Sequence, residues 1–222
     1  MKKPDLKVVL LGDMNVGKTS LLHRYMERRF QETVSTVGGA FYLKQWGPYN
    51  ISIWDTAGRE RFHGLGSMYC RAASAVILTY DVSSMQSLLE LEDRFLTLTD
   101  TVSDDCVYAV VGNKVDLTDV AGDEDSATAL GTPTKIRRQV QLEDALAFYK
   151  KIIKTKMLDE TSVPPAEKLC FETSAKTGYN VDTLFEGVFS MVVPLIKKQD
   201  GQEDTVNLEQ SNSHKETKKG CC

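Results

Sequence analysis

At 222 residues the chain is long enough for one well-cored domain and short for two. Its 41% hydrophobic and 26% charged content is that of an ordinary globular protein, and a net charge of −4 argues against a general nucleic-acid binder. No stretch is apolar for long enough to span a bilayer, and the run Val8 to Leu11 behind Met1-Lys2-Lys3-Pro4 is too short for a signal-peptide core, so an unsecreted chain is expected.

The elements alternate. Leu6–Leu11 is a short apolar run closed by Gly12, a buried strand. Lys18–Arg28 carries Leu21, Leu22, Tyr25 and Met26 on one face, a helix. Strands over Ala40–Trp46 and Ile51–Asp55 are joined by the turn Gly47-Pro48-Tyr49-Asn50. Ala75–Tyr80 and Val107–Val111 are further apolar strands. Between them Ser83, with Gln86 three residues on, reads as a capping box for a helix striped by Leu88, Leu91, Phe95 and Leu98. Leu142–Met157 and Val181–Lys198 read as helices and Leu169–Phe171 as a last short strand. This alternation predicts an α/β fold, a mostly parallel sheet covered by helices on both faces, with the loops after the strands along one edge. Leu117–Gln139, with Gly122-Asp123-Glu124-Asp125 and Gly131-Thr132-Pro133, reads as a long exposed loop, and the polar stretch Gln199–Lys219 as a disordered tail. Cys70, Cys106 and Cys170 are isolated, without metal-ligand spacing, and read as small core residues in a reducing compartment.

Two motifs carry chemistry. Gly12-Asp13-Met14-Asn15-Val16-Gly17-Lys18-Thr19 fits G-x-x-x-x-G-K-[ST] between a strand and a helix, the setting of a phosphate-binding P-loop. Its glycines let backbone N–H groups face phosphate oxygens, and the helix N-terminus adds partial positive charge. Lys18 is placed to reach the β- and γ-phosphates and the Thr19 hydroxyl to ligate Mg²⁺. The P-loop does not choose the base. Asn113-Lys114-Val115-Asp116, after a strand, does: a carboxylate there accepts both the N1–H and the exocyclic amine of guanine, a donor pair adenine lacks. That disfavours a P-loop ATPase or nucleotide kinase.

With these residues the chain resembles the Ras superfamily and, within it, the Rab family, over about residues 5–200 and the final two cysteines. Asp55-Thr56-Ala57-Gly58 is similar to the start of switch II. Thr36 is similar to the switch I threonine, Glu172-Thr173-Ser174-Ala175-Lys176 to the last guanine-contacting loop, and Phe30 to the aromatic that packs on the base. Trp54, Glu60-Arg61-Phe62, Leu78-Thr79-Tyr80-Asp81-Val82 and the trio Phe41, Trp54 and Tyr69 resemble Rab segments, the trio being an effector-facing aromatic set or plain core. Overall similarity points to the Rab-twenty branch, of endosomal, phagosomal or Golgi type.

The resemblance implies a P-loop NTPase G-domain over 1–198, with a mostly parallel six-stranded sheet, one antiparallel edge strand, helices on both faces, and a longer connection about 155–168. It implies GTP or GDP and Mg²⁺ as ligands. Nucleotide contacts would come from Asp13, Met14, Asn15, Val16, Gly17, Lys18, Thr19, Ser20, Phe30, Thr36, Gly58, Asn113, Lys114, Asp116, Ser174, Ala175 and Lys176. Mg²⁺ would be held by Thr19, Thr36 and Asp55, and hydrolysis would involve Gly58, Lys18, Thr36 and the residue at position 59. Implied partners are effectors, an exchange factor, a GTPase-activating protein, Rab escort protein and GDP-dissociation inhibitor. A monomer is expected, without nucleic acid, on the cytoplasmic face of intracellular membranes with a soluble cytosolic pool.

The chain departs from the family at Arg59, where a water-orienting glutamine is usual: a glutamine carbonyl accepts a hydrogen bond from water, an arginine only donates. Met14 stands where a small residue is usual and would crowd an incoming arginine finger. Slow hydrolysis is therefore expected, in a conventional timer or in a GTP-loaded scaffold. Phe30 to Thr36 is shorter than usual and Asp116 to Glu172 longer, the latter a neutral ornament or a partner site around Lys135, Arg137 and Arg138. The chain ends Gly220-Cys221-Cys222, similar to the Rab signal for double geranylgeranylation. Two lipids anchor stably where one is marginal. From Gln199 on, three lysines against five acids make no polybasic anchor, so Cys221 and Cys222 would carry the attachment.

Overall fold

The computed structural model describes residues 4–31, 36, 38–58, 63–103, 105–118 and 136–194, the side chains of 63–65 excepted. Six strands form one sheet in the order β2-β3-β1-β4-β5-β6: β1 Leu6–Leu11, β2 Gly39–Trp46, β3 Tyr49–Thr56, β4 Ala75–Asp81, β5 Val107–Asn113 and β6 Cys170–Glu172. Only the β2–β3 pair is antiparallel. This is the expected mixed sheet with its antiparallel edge. Val8, Val9 and Leu10 are fully buried because β1 has parallel neighbours and covered faces. Edge strand β2 instead alternates exposed and half-buried residues.

Several boundaries move. The two hairpin strands extend to leave a two-residue turn at Gly47 and Pro48, and β5 runs on to Asn113. Leu169 closes a four-residue helix, Ala166–Leu169, so β6 starts one residue later. Helix α1, Lys18–Glu27, stops before Arg28, which is left-handed at φ 58°. The helix Leu142–Thr155 carries a capping box between Gln141 and Asp144, and a final helix covers residues 181–194 of those described.

The capping box expected at Ser83 is wrong. Asp81 Oδ1 accepts from both the Ser83 amide, at 2.9 Å, and its hydroxyl, at 2.6 Å. That side chain is spent on the turn, and Ser84 caps helix α3, Met85–Glu90, by accepting from the Ser87 amide. Helix α3 continues through a π turn, Leu91–Phe95, which keeps Leu88, Leu91 and Phe95 in the core.

Helix α2, His63–Cys70, was not expected. With glycines at 64 and 66 its propensity is poor, and tertiary contacts hold it. A Cβ on Gly66 would come within 2.7 Å of Leu98 Cδ1, and Thr101 donates its hydroxyl to the Ser67 carbonyl. Of the expected loop, residues 119–135 lie outside the described structure. Its end is pinned: the amides of Gln139 and Val140 both donate to Val82 O, and Val140 is fully buried. Arg138, suggested as part of a partner site, is instead paired with Glu172 and hydrogen-bonded to Val140 O, because the chain re-enters the core beside β6. Cys70, Cys106 and Cys170 are buried free thiols, as expected.

Candidate functional site

Parallel β1, β4, β5 and β6, together with β3, release their C-terminal ends along one sheet edge, where ligands bind in open α/β sheets. There Leu11 leads into the glycine loop, Thr56 into Ala57-Gly58, Asn113 into Lys114-Val115-Asp116, and Glu172 into Thr173-Ser174-Ala175. Together they wall a cleft of about 430 Å³. Met14, Asn15, Gly17, Lys18, Thr19, Ser20, Phe30, Thr36, Gly58, Asn113, Lys114, Asp116, Ala175 and Lys176 line it, as do Thr56 and Leu117, which the sequence reading missed.

Lys18 opens α1 and is only 5% exposed. Its amine donates to the carbonyls of Gly12 at 2.8 Å and Asp13 at 2.9 Å, so the loop curls around its own lysine. Burial lowers that amine to about 8, against the opposing pull of Asp55 and Asp13. Gly17, at φ 98°, leaves room for Asn113, whose Nδ2 would lie 2.3 Å from any Cβ there. Gly58 lies as close: a Cβ on it would meet the Met14 amide nitrogen at 2.4 Å. The loop after β3 and the glycine loop therefore touch through backbone.

Next to Lys18, three side-chain oxygen groups converge. The Thr19 hydroxyl donates to Asp55 Oδ2 at 2.5 Å and lies 2.9 Å from the Thr36 hydroxyl, which is 3.4 Å from the same carboxylate oxygen. Asp55 is completely buried, and its Oδ1 has no hydrogen-bond partner. Burial raises its carboxyl, which the Thr19 hydrogen bond and Lys18 only partly offset. An orphaned carboxylate oxygen beside two hydroxyls is an all-oxygen donor set that fits a small hard cation such as Mg²⁺.

On the opposite side Asn113, 1% exposed, donates to Val16 O at 2.8 Å and accepts from the Ala175 amide at 3.1 Å, tying the glycine loop to the last loop. The Ser174 hydroxyl donates to Asp116 Oδ1 at 2.5 Å and fixes that carboxylate. Lys114 is left-handed at φ 70° and pairs with Asp81 at 2.7 Å. Phe30 stands on the cleft wall, 44% exposed.

Some anticipated residues stand behind the wall. The Val16 side chain is buried, Asp13 Oδ1 lies 3.6 Å from Arg94, and Ser174 and Asp55 are covered. The Asp81 contact to Lys114 escaped the sequence reading because it needs the β4–β5 register, Asp81 opposite Asn113. Arg59 and the tail cysteines Cys221 and Cys222 lie outside the described residues. Away from the cleft, Phe41 and Trp54 are register partners with ring centroids 5.1 Å apart, and Trp54 and Tyr69 are 5.7 Å apart. The trio does assemble, with Phe41 48% exposed.

The Ras family model matches residues 7–193. The chain is 65% identical to the Ras-related protein Rab-20 of Homo sapiens and 64% identical to that of Mus musculus, each covered in full by the whole of this chain. It is 30% identical to Ras-related protein Rab-31 of Homo sapiens, over 98% of this chain and 97% of that one.

Proposed function

The chain belongs to the Ras family as a Rab-type small GTPase, a GTP-binding and GTP-hydrolysing switch in membrane trafficking, and on that premise we propose how its residues divide the work. The observation that carries the reading is the convergence of Lys18, Thr19, Thr36 and Asp55 at one end of a cleft that holds Asp116 at the other.

Thr19, Asp55 and Thr36 would hold Mg²⁺, which when bound supplies charge neutralisation to the β- and γ-phosphates. The P-loop amides and Lys18 bind the phosphates. Asp116, fixed by Ser174, accepts from guanine N1–H and its exocyclic amine, while Lys114, held by Asp81, Phe30, Ala175 and Lys176 flank the base. Thr36 and Gly58 move with the γ-phosphate, so the switch segments order in one nucleotide state and loosen in the other. Phe41, Trp54 and Tyr69 present the nucleotide state to effectors. An exchange factor, a GTPase-activating protein, Rab escort protein and GDP-dissociation inhibitor complete the cycle. Residues 1–198 form the G-domain, and 199–222 carry Cys221 and Cys222 for geranylgeranylation onto endosomal, phagosomal or Golgi membranes.

Hydrolysis is slow in this reading. Arg59 can only donate a hydrogen bond, and Met14, 37% exposed on the cleft wall, would crowd an incoming arginine. Single-turnover hydrolysis of preloaded GTP tests this. Arg59→Gln is expected to run about tenfold faster or more, a modest part of what a positioned glutamine and arginine achieve together. No acceleration sinks the Arg59 argument. Met14 also favours a second reading, a GTP-loaded scaffold with negligible turnover. The nucleotide that copurifies decides between them: mostly GTP for the scaffold, mostly GDP for the timer.

A further inference from the structure

We propose that Arg24 is the positioning residue of the base-reading loop, so that helix α1 sets the phosphate end of the nucleotide with Lys18 and Thr19 and the guanine end through Arg24. The inference rests on the assignment of Asp116 as the guanine reader.

Arg24 lies on α1 and Ala175 is 151 residues away, yet the Arg24 Nε donates to Ala175 O at 2.8 Å. Its Nη2 donates to Lys176 O at 2.5 Å and its Nη1 to Arg28 O at 3.1 Å. All three bonds end on backbone carbonyls. A planar guanidinium spends its fork on two adjacent peptide groups, fixing their orientation as well as their place, which a lysine ammonium cannot do. Arg24 also packs against the turn of this loop: a Cβ on Gly178 would lie 3.6 Å from Arg24 Cδ, in ordinary van der Waals contact.

The two gripped residues adjoin the reader. Ser174, next in the chain to Ala175, donates its hydroxyl to Asp116 Oδ1 at 2.5 Å, and the Ala175 amide donates to Asn113 Oδ1 at 3.1 Å. The Ser174 amide is anchored on Tyr179 O at 3.1 Å, and its hydroxyl also accepts from the Thr177 amide. A short relay runs from Arg24 through the Ala175 and Lys176 carbonyls and Ser174 to the Asp116 carboxylate. Without the fork, the loop loses two charged-donor bonds and the carboxylate loses its fixed aim, so discrimination suffers along with residence time.

The test uses the full chain with Mg²⁺. Release of fluorescently labelled GDP is timed, and competition measures the preference for GDP over inosine diphosphate, which lacks the exocyclic amine that Asp116 would accept from. Arg24→Ala is expected to release GDP about tenfold to a hundredfold faster, the scale of losing charged-donor hydrogen bonds, and to narrow the GDP preference. Arg24→Lys, which keeps the charge, falls between. Arg28→Gln, just past the end of the same helix and paired with Asp182 at the surface, behaves as wild type. Unchanged release overturns the proposal. So does weakening of both nucleotides with the preference intact, the mark of a merely structural residue. A wild-type chain that binds both nucleotides equally overturns the Asp116 assignment, and the proposal with it.

Discussion

The Thr19 hydroxyl donates to one oxygen of the Asp55 carboxylate at 2.5 Å, and the other oxygen of that carboxylate is buried with no partner. A buried carboxylate so poorly satisfied costs stability, a cost that the proposed Mg²⁺ role would account for. Asp55→Asn removes the charge while keeping the shape. The variant is expected to melt, nucleotide-free, at or above the wild-type temperature. It is expected to lose about 2 kcal/mol or more of Mg²⁺-dependent nucleotide affinity. Labelled-GDP release with and without chelator measures the second term; a chelator effect as large as in the wild type contradicts the assignment.

Asn113 ties two walls of the cleft together. Its side chain bridges Val16 O and the Ala175 amide across the cleft floor at 1% exposure. Asn113→Ala leaves a buried carbonyl and a buried amide unmatched, at about 1–3 kcal/mol for each group. In a chain of this size each kcal/mol moves the melting temperature by about 2–4 °C. A nucleotide-free thermal scan should therefore fall by about 4 °C or more, and an unchanged midpoint would show that the Asn113 bridge contributes no stability.

The sequence made the sheet and the two ends of the cleft legible because both are local signals. Apolar runs bounded by glycine mark parallel strands, and Gly12 to Thr19 and Asn113 to Asp116 each lie within a few residues of a strand end. What stayed hidden depends on distant contacts. Helix α2 has two glycines and is held by Leu98 and Thr101. Ser83 looked like a cap until Asp81 took its hydroxyl. Arg24, Asp81 and Arg138 act through partners that only the strand order brings near, and no periodicity reports such pairings.

Burial governs the three described thiols. Cys70 is pushed up from the ordinary 9.0 to about 11, with Lys7 and Lys156 only partly opposing; Cys170 is pushed to about 12, and burial raises Cys106 as well. At pH 8 the native chain should leave all three unmodified by iodoacetamide in peptide mapping, and denaturant should expose all three. The sign for stability follows. An acid raised on folding contributes stability fully present below the unfolded value near 9 and lost as pH rises through the folded value. Cys70→Ser should therefore show a shallower loss of stability between pH 9 and 11 than the wild type.

A single carboxylate holds the antiparallel edge to the final helix. Glu186 accepts from the Tyr25 hydroxyl at 2.6 Å through one oxygen and from the Trp46 indole at 2.5 Å through the other, while Tyr25 stacks on Phe185 with centroids 4.4 Å apart. Helix α1, β2 and the final helix thus meet at one acceptor. Tyr25→Phe and Trp46→Phe each delete a donor and keep an aromatic ring, so each should cost about 1 kcal/mol in urea unfolding at fixed Mg²⁺ and GDP. Both donors address the same carboxylate, so loss of the first leaves Glu186 freer to turn toward water. The double variant should then depart from additivity by about 0.5 kcal/mol or more, a coupling that vanishes in a Glu186→Ala background. Coupling that survives there would have to run through the Tyr25, Phe185 and Phe189 rings instead, with Trp46 6.1 Å from Phe189, and the carboxylate would be a bystander.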